Sequence, residues 1–170
     1  MLKLFWHYRK GDDCAMRIGS GYDVHRLAAN RPLYLCGVQI TAPYGLEGHS
    51  DADVAIHALC DALLGAVAQG DIGVHFPPGD PEFKDIRSTF LLERCMTMVQ
   101  QAGYSIGNID ITIIAERPRL APYRDEMRQK LAAILNVTAD RVSVKATTTE
   151  GLGFAGRGEG IAAEAVVLLE

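Results

Sequence analysis

The chain has 170 residues, 48% of them hydrophobic, which is enough for one well-cored domain and too few for two. Lys and Arg number 17 against 21 Asp and Glu, a formal charge of −4 with no run of like sign, which excludes the basic face that nucleic-acid binding requires. No apolar stretch approaches the roughly 20 residues of a membrane span, so an anionic ligand would have to be held by local devices: a metal, a helix N-terminus, a few arginines.

Residues 1–15 read differently from the rest. Leu2, Leu4, Phe5 and Trp6 are interrupted by Lys3 and His7, and Asp12 and Asp13 follow. That apolar core is too short for a secretory signal, and the acidic pair argues against a transit peptide. The segment is expected to be an extension, from an upstream start codon or expression engineering, ahead of a single domain over 16–170. The alternation from Met16 to Asp23, continued by His25, predicts a strand, and Leu33–Ile40 predicts a second after the turn Asn30-Arg31-Pro32. Residues 43–48 read as a loop delivering His49. Ser50 as N-cap and Asp53 three residues on predict a helix from about Asp51 to Ala68, with Val54, Ala58, Leu59, Ala62 and Leu63 as its apolar stripe.

Gly70-Asp71-Ile72-Gly73 ends that helix, and residues 76–81 form an ordered loop or a lid. A second helix is predicted from Ser88 to Ala102, a strand over Asn108–Ala115, a loop from Pro118 to Pro122 and a third helix over Tyr123–Leu135. Strands over Arg141–Thr147 and Gly160–Leu169 close the chain. Strands alternating with three helices predict an α/β (α+β) sandwich, a mixed sheet covered on one face by the helices. Cys14, Cys36, Cys60 and Cys95 form no CxxC pair and read as buried reduced thiols, which suits a reducing, cytoplasmic setting.

Asp23-Val24-His25 and His57 carry the clearest chemistry. Residues two apart on a strand point the same way, so Asp23 and His25 can share a target that His57 meets from the first helix. One carboxylate and two imidazoles suit zinc better than magnesium and leave a fourth position open. The plainer reading is a turn cap, a surface histidine and a satisfied helix histidine. Asp53 and Asp61 lie four residues either side of His57, so either could hold its free ring nitrogen, although Asp53 could equally be a cap. His49, just ahead of the helix N-terminus, would suit a phosphate, or is an exposed loop residue. Thr147-Thr148-Thr149-Glu150 could bind phosphate oxygens and a second cation, or simply form strand. Glycines at 151, 153, 156, 158 and 160 indicate tight turning, with Arg157 the only cation among them. No Walker motif is present.

Gly21-Tyr22-Asp23-Val24-His25, Gly48-His49-Ser50-Asp51-Ala52-Asp53-Val54 with His57, Gly70-Asp71-Ile72-Gly73, Lys145–Glu150 and Gly153–Gly160 resemble, in order and spacing, the 2-C-methyl-D-erythritol 2,4-cyclodiphosphate synthases. The resemblance runs from Met16 to the C-terminus. It implies a non-mevalonate isoprenoid enzyme that closes 4-diphosphocytidyl-methylerythritol 2-phosphate on itself and releases CMP. Zn²⁺, or another divalent transition metal, would sit on Asp23, His25 and His57, and Mg²⁺ or Mn²⁺ would be held by Glu150. His49 and Thr148 would stabilise the transition state.

By the same resemblance, Ser50, Asp71, Ile72, Gly73 and the loop from Phe76 to Asp80 would bind the erythritol and its 2-phosphate. Ala115, Pro118, Arg119, Leu120 and Ala121, with Thr147 and Thr149, would bind cytidine. The implied assembly is a homotrimer around the sheets, with sites between subunits. Phe154 and Arg157 would line a central channel able to take a phosphate or an isoprenoid diphosphate. Such a protein belongs in a bacterial cytoplasm or a plastid, and needs neither membrane nor nucleic acid. Pro78, Arg119 and Gly151 depart from the family's usual residues, and arginine for lysine changes hydrogen-bond geometry while keeping charge. Two rival readings are a zinc phosphoesterase, which needs a base near the zinc, and a zinc-stabilised isoprenoid-binding module, which needs a closed fourth ligand.

Overall fold

The structure is a computed structural model describing residues 16–77, 79–83 and 85–170. The N-terminal extension with Cys14, and Pro78, lie outside the described residues. The elements run β1 (Arg17–Ala29), β2 (Leu33–Leu35), β3 (Val38–Ile40), β4 (Tyr44–Leu46), α1 (Val54–Ala66), α2 (Ile72–His75), α3 (Ser88–Gln101), β5 (Ile106–Ile114), α4 (Arg124–Leu135), β6 (Val142–Thr147), α5 (Gly153–Gly156) and β7 (Gly160–Leu169). A five-stranded mixed sheet has the order β4-β1-β7-β5-β6, antiparallel except for the parallel β5–β6 pair, and β2–β3 form a separate hairpin.

One face of the sheet is made of residues that can be covered. The cross-strand rows Gly19–Val167–Ile109–Val142 and Gly21–Ala165–Ile111–Val144 are buried and lie under the helices. α1 lies on β1 and β7, α3 packs on α1, and α4 covers β6. The approach of α1 is close because Gly19 and Gly21 have no side chain there; a methyl at either would overlap the carbonyl of Ala62 or Ala58. Leu59, Leu63 and Leu64 of α1 are fully buried, each contributing about 2 kcal/mol by leaving water. The opposite face is open: Ile18, Tyr22, Val24 and Val166 are 72%, 55%, 45% and 40% exposed.

Three local expectations are corrected. The strand expected over Leu33–Ile40 is a hairpin, because Cys36 and Gly37 both adopt positive φ (54° and 76°) and reverse the chain. The expected loop over 43–48 contains β4, which pairs Tyr44–Leu46 with Leu27–Ala29. Helix α1 starts three residues later than expected, because Ala52 is left-handed (φ 56°) and cannot begin a helix. Asp53 rather than Ser50 is its N-cap, accepting from Ile56 N–H. Asp71 caps the short helix α2 that follows the left-handed Gly70. Cys36, Cys60 and Cys95 are buried and free.

Candidate metal centre

Asp23 and His25 leave β1 on the helix-covered side, and His57 descends from the first turn of α1 to meet them. The two glycines that seat α1 on β1 set that distance. His25 Nε2 lies 3.0 Å from Asp23 Oδ2 and 3.0 Å from His57 Nδ1, which is 3.2 Å from the same carboxylate oxygen. Tetrahedral ligands at zinc distances are about 3.3 Å apart, so these three atoms form one face of such a site. They are the only such cluster of metal-ligating side chains among the described residues.

The free ring nitrogens show which lone pairs are available. His25 Nδ1 is 2.6 Å from the backbone carbonyl of Glu47. A carbonyl can only accept, so Nδ1 carries the proton and Nε2 presents its lone pair to the cluster. Burial opposes ionisation of Asp23, but the adjacent His25 and His57 imidazoles outweigh it and hold the carboxyl well below its usual range. For His25, burial lowers the pKa and the Asp23 carboxylate more than reverses it, so the value is raised. Two imidazole nitrogens and a carboxylate converging on one point form a donor set that fits a divalent transition metal.

Neither helix carboxylate holds the free ring nitrogen of His57, and Asp53 takes the capping role that its position also allowed. Asp53 is fully buried and accepts the N–H groups of Cys36 (2.9 Å), Gly37 (2.6 Å) and Ile56 (3.1 Å), so it joins the hairpin to the helix start. Asp61 accepts Ile72 N–H at 2.8 Å and so anchors α2. His57 Nε2 instead faces Ser88 Oγ at 2.9 Å and Ser50 Oγ at 3.2 Å. At the helix N-terminus beside His49, side chains of Ser50, Asp51 and Asp53 take the N–H groups of Ala52, Asp53 and Ile56.

The cluster opens into a cavity of about 300 Å³ that also has His49, Ser50, Ile72, Gly73 and Phe76 in its wall. Phe76 stacks edge-on against Phe83 there. Asp71 caps α2 through Val74 N–H, and Asp80 sits in the turn that leads to Phe83. Arg31 clamps the loop: its two terminal nitrogens donate to the carbonyls of Gly48 and Ser50, both at 2.9 Å, on either side of His49.

Thr148 and Glu150 lie elsewhere. A second cavity, about 380 Å³, is lined by Ala115, Pro118–Ala121, Thr147 and Thr148, and shares no residue with the first. Thr148 donates to Glu150 at 2.9 Å, and Glu150 is left-handed (φ 55°). Glu116 Oε1 holds this loop, accepting from the backbone and hydroxyl of Thr149 at 2.9 and 3.1 Å. Arg157 pairs with Glu159 at 2.8 Å beside a further cavity next to Tyr44, and Phe154 is half-buried on α5. One chain thus brings Asp23, His25 and His57 together with His49, Ser50, Ile72, Gly73 and Phe76, and keeps Thr148 and the residues from Ala115 to Ala121 apart from them. Ser88, Asp51, Glu116, Arg31 and the Glu47 carbonyl were not found from sequence. Each acts on a partner at least 17 positions away, and no local pattern marks that.

A family model described as the YgbB family matches residues 16–170. The 2-C-methyl-D-erythritol 2,4-cyclodiphosphate synthase of Moorella thermoacetica is 64% identical over 154 residues, 91% of this chain and 94% of that protein. The enzyme of the same name from Syntrophomonas wolfei is 58% identical, covering 91% and 99%. A solved structure of this synthase in its CDP-bound form superposes with a TM-score of 0.84 at 41% identity, covering 91% of this chain and all of that one. The bifunctional IspDF from Campylobacter jejuni matches with a TM-score of 0.88 at 45% identity; 91% of this chain spans 42% of that longer protein.

Proposed function

This chain belongs to the YgbB family, and on that premise we propose that it carries out the reaction its relatives are named for, using the two cavities as halves of one site. The reaction is the conversion of 4-diphosphocytidyl-2-C-methyl-D-erythritol 2-phosphate to 2-C-methyl-D-erythritol 2,4-cyclodiphosphate and CMP. A 2-phosphate oxygen forms a bond to the β-phosphorus, the bond from that phosphorus to the α-phosphate bridging oxygen breaks, and CMP leaves with the electron pair. The nucleophile is already an anion, so the protein has to supply alignment and charge neutralisation more than a base.

The observation that carries this reading is the convergence of Asp23 Oδ2, His25 Nε2 and His57 Nδ1 on one point beside His49. Those three atoms would hold a zinc-like ion, which supplies Lewis-acid neutralisation of phosphate oxygens and a template for them. Glu150, a carboxylate that accepts from Thr148, suits Mg²⁺ or Mn²⁺, which take most of their ligands from substrate phosphates and water. His49 and Thr148 would donate to the phosphate oxygens as charge moves onto them. Ser50, Ile72 and Gly73 would orient the erythritol end, with Asp71 and the Phe76–Asp80 loop closing over it. The wall from Ala115 to Ala121, with Thr147 and Thr149, would orient the cytidine.

The separation of the two cavities, and the apolar residues on the open sheet face, support a homotrimer in which one subunit's metal side faces another's Thr148 loop. Phe154 and Arg157 would then line the central channel. The test is ³¹P NMR of the diphosphocytidyl substrate with purified protein, with and without chelator. Metal-dependent release of CMP with two coupled resonances of a cyclic diphosphate is expected. An opened, water-containing product would make the protein a phosphoesterase, and no turnover by zinc-loaded protein would make it a binding module.

A further inference from the structure

Ser88 is completely buried at the start of α3, and its hydroxyl bridges two groups from distant parts of the chain. His57 Nε2 lies 2.9 Å away on one side and Asp51 Oδ1 2.5 Å away on the other. Asp51 Oδ1 also accepts the backbone N–H groups of Ser88 (3.1 Å) and Asp53 (3.4 Å), so donors converge on it from three directions. Its second oxygen is buried and, among the described residues, has no hydrogen-bond partner. An orphaned buried carboxylate oxygen is destabilising, and a residue kept there for stability alone would be better replaced.

From this geometry we infer that Ser88 and Asp51 form a relay that sets the tautomer of His57 and aims its Nδ1 lone pair at the metal position. The inference rests on the metal reading above. A carboxylate has no proton to give, so the Ser88 hydroxyl must donate to Asp51. Its one proton is then used, and toward His57 it can only accept. Nε2 therefore carries the imidazole proton and Nδ1 is left bare. The competing arrangement is the reverse: Nδ1–H donating to Asp23 Oδ2, 3.2 Å away, which blocks the cluster with a proton. Ser50 Oγ, 3.2 Å from Nε2 and 3.4 Å from Ser88 Oγ, can also accept from His57. His25 gets the same instruction from the Glu47 carbonyl directly; His57 gets it through a hydroxyl.

Ser88 and Asp51 are positioning residues, and the tautomer can be read without metal or turnover. Long-range ¹H–¹⁵N correlation of metal-free wild-type protein in mildly alkaline buffer should show His57 protonated at Nε2. Ser88→Ala should move the proton to Nδ1 and weaken Co²⁺ binding, followed by its visible absorption, by about 10- to 100-fold. Asp51→Ala, which frees the Ser88 proton to turn toward His57, should do the same, and Ser88→Thr should restore both readouts. An Nδ1–H tautomer in the wild type, or Co²⁺ affinity in Ser88→Ala within about twofold of wild type, overturns the relay. Failure of the wild type to take up Co²⁺ would overturn the metal reading instead, and the tautomer measurement keeps the two failures distinct.

Discussion

Asp23 and His25 move each other's protonation in opposite directions, and a metal ion would compete with the proton they share. The His25 pKa is raised above 6.5, so in metal-free protein its contribution to stability is complete below 6.5 and is lost as pH rises through the raised value. The Asp23 pKa is held below 3.8, so its contribution is present above 3.8 and lost as pH falls through the lowered value. The empty cluster therefore stabilises most between these limits, while metal binding needs His25 unprotonated and gains as pH rises. The difference in Tm between zinc-loaded and chelator-treated protein should widen from about pH 6 to about pH 8. A constant difference would remove His25 from the ligand set. The clustering of Asp23, His25 and His57 was legible because a strand's two-residue period and a helix start bring them together. The groups that orient them were not. Asp53 and Asp61 have the right helical spacing for His57, but three backbone N–H groups claim one and Ile72 the other, and spacing does not reveal such competitors.

The close seating of α1 on β1 connects packing to chemistry at the level of elements. Gly21 stands two residues before Asp23, and the carbonyl a methyl there would meet belongs to Ala58, the neighbour of His57. Gly21→Ala should force helix and strand apart, lowering stability by about 1–3 kcal/mol, as overpacking does, and should also weaken metal binding by moving His57 off the two strand ligands. Denaturant unfolding with a parallel zinc titration measures both. Lost stability with unchanged zinc affinity would mean that the cluster tolerates the shift. The long elements were readable from their periodicity: α3, α4 and β7 fall within one or two residues of expectation. The hairpin at Cys36-Gly37 and strand β4 were not, because three-residue strands carry too little alternation, and their pairing depends on partners supplied by β1 and the helix cap.

At the scale of the whole molecule, an open sheet face and a divided site ask for the same remedy. Ile18, Tyr22, Val24 and Val166 lie on the face opposite the helices, where a monomer would leave them in water. Polar neighbours do not disguise them: Val166 sits between Ser20 and Asp110 across its strands, and Tyr22 sits opposite Glu164. In the homotrimer proposed above, sheet face would pack on sheet face around an axis and bury this surface, with each chain's metal cavity facing a neighbour's Thr148 loop. None of this was legible from residue spacing, since alternation marks which residues share a face and not what covers that face. Val166→Asp adds a charge beside Asp110 on that face and touches neither cavity. If the subunits assemble through it, light scattering should show the mass falling from three chains to one. Turnover should fall by at least about 100-fold as the groups it brings together separate, while zinc stoichiometry per chain is retained because Asp23, His25 and His57 come from a single chain. A monomeric variant with wild-type turnover would mean that one chain completes the site, and the division between its two cavities would need another explanation.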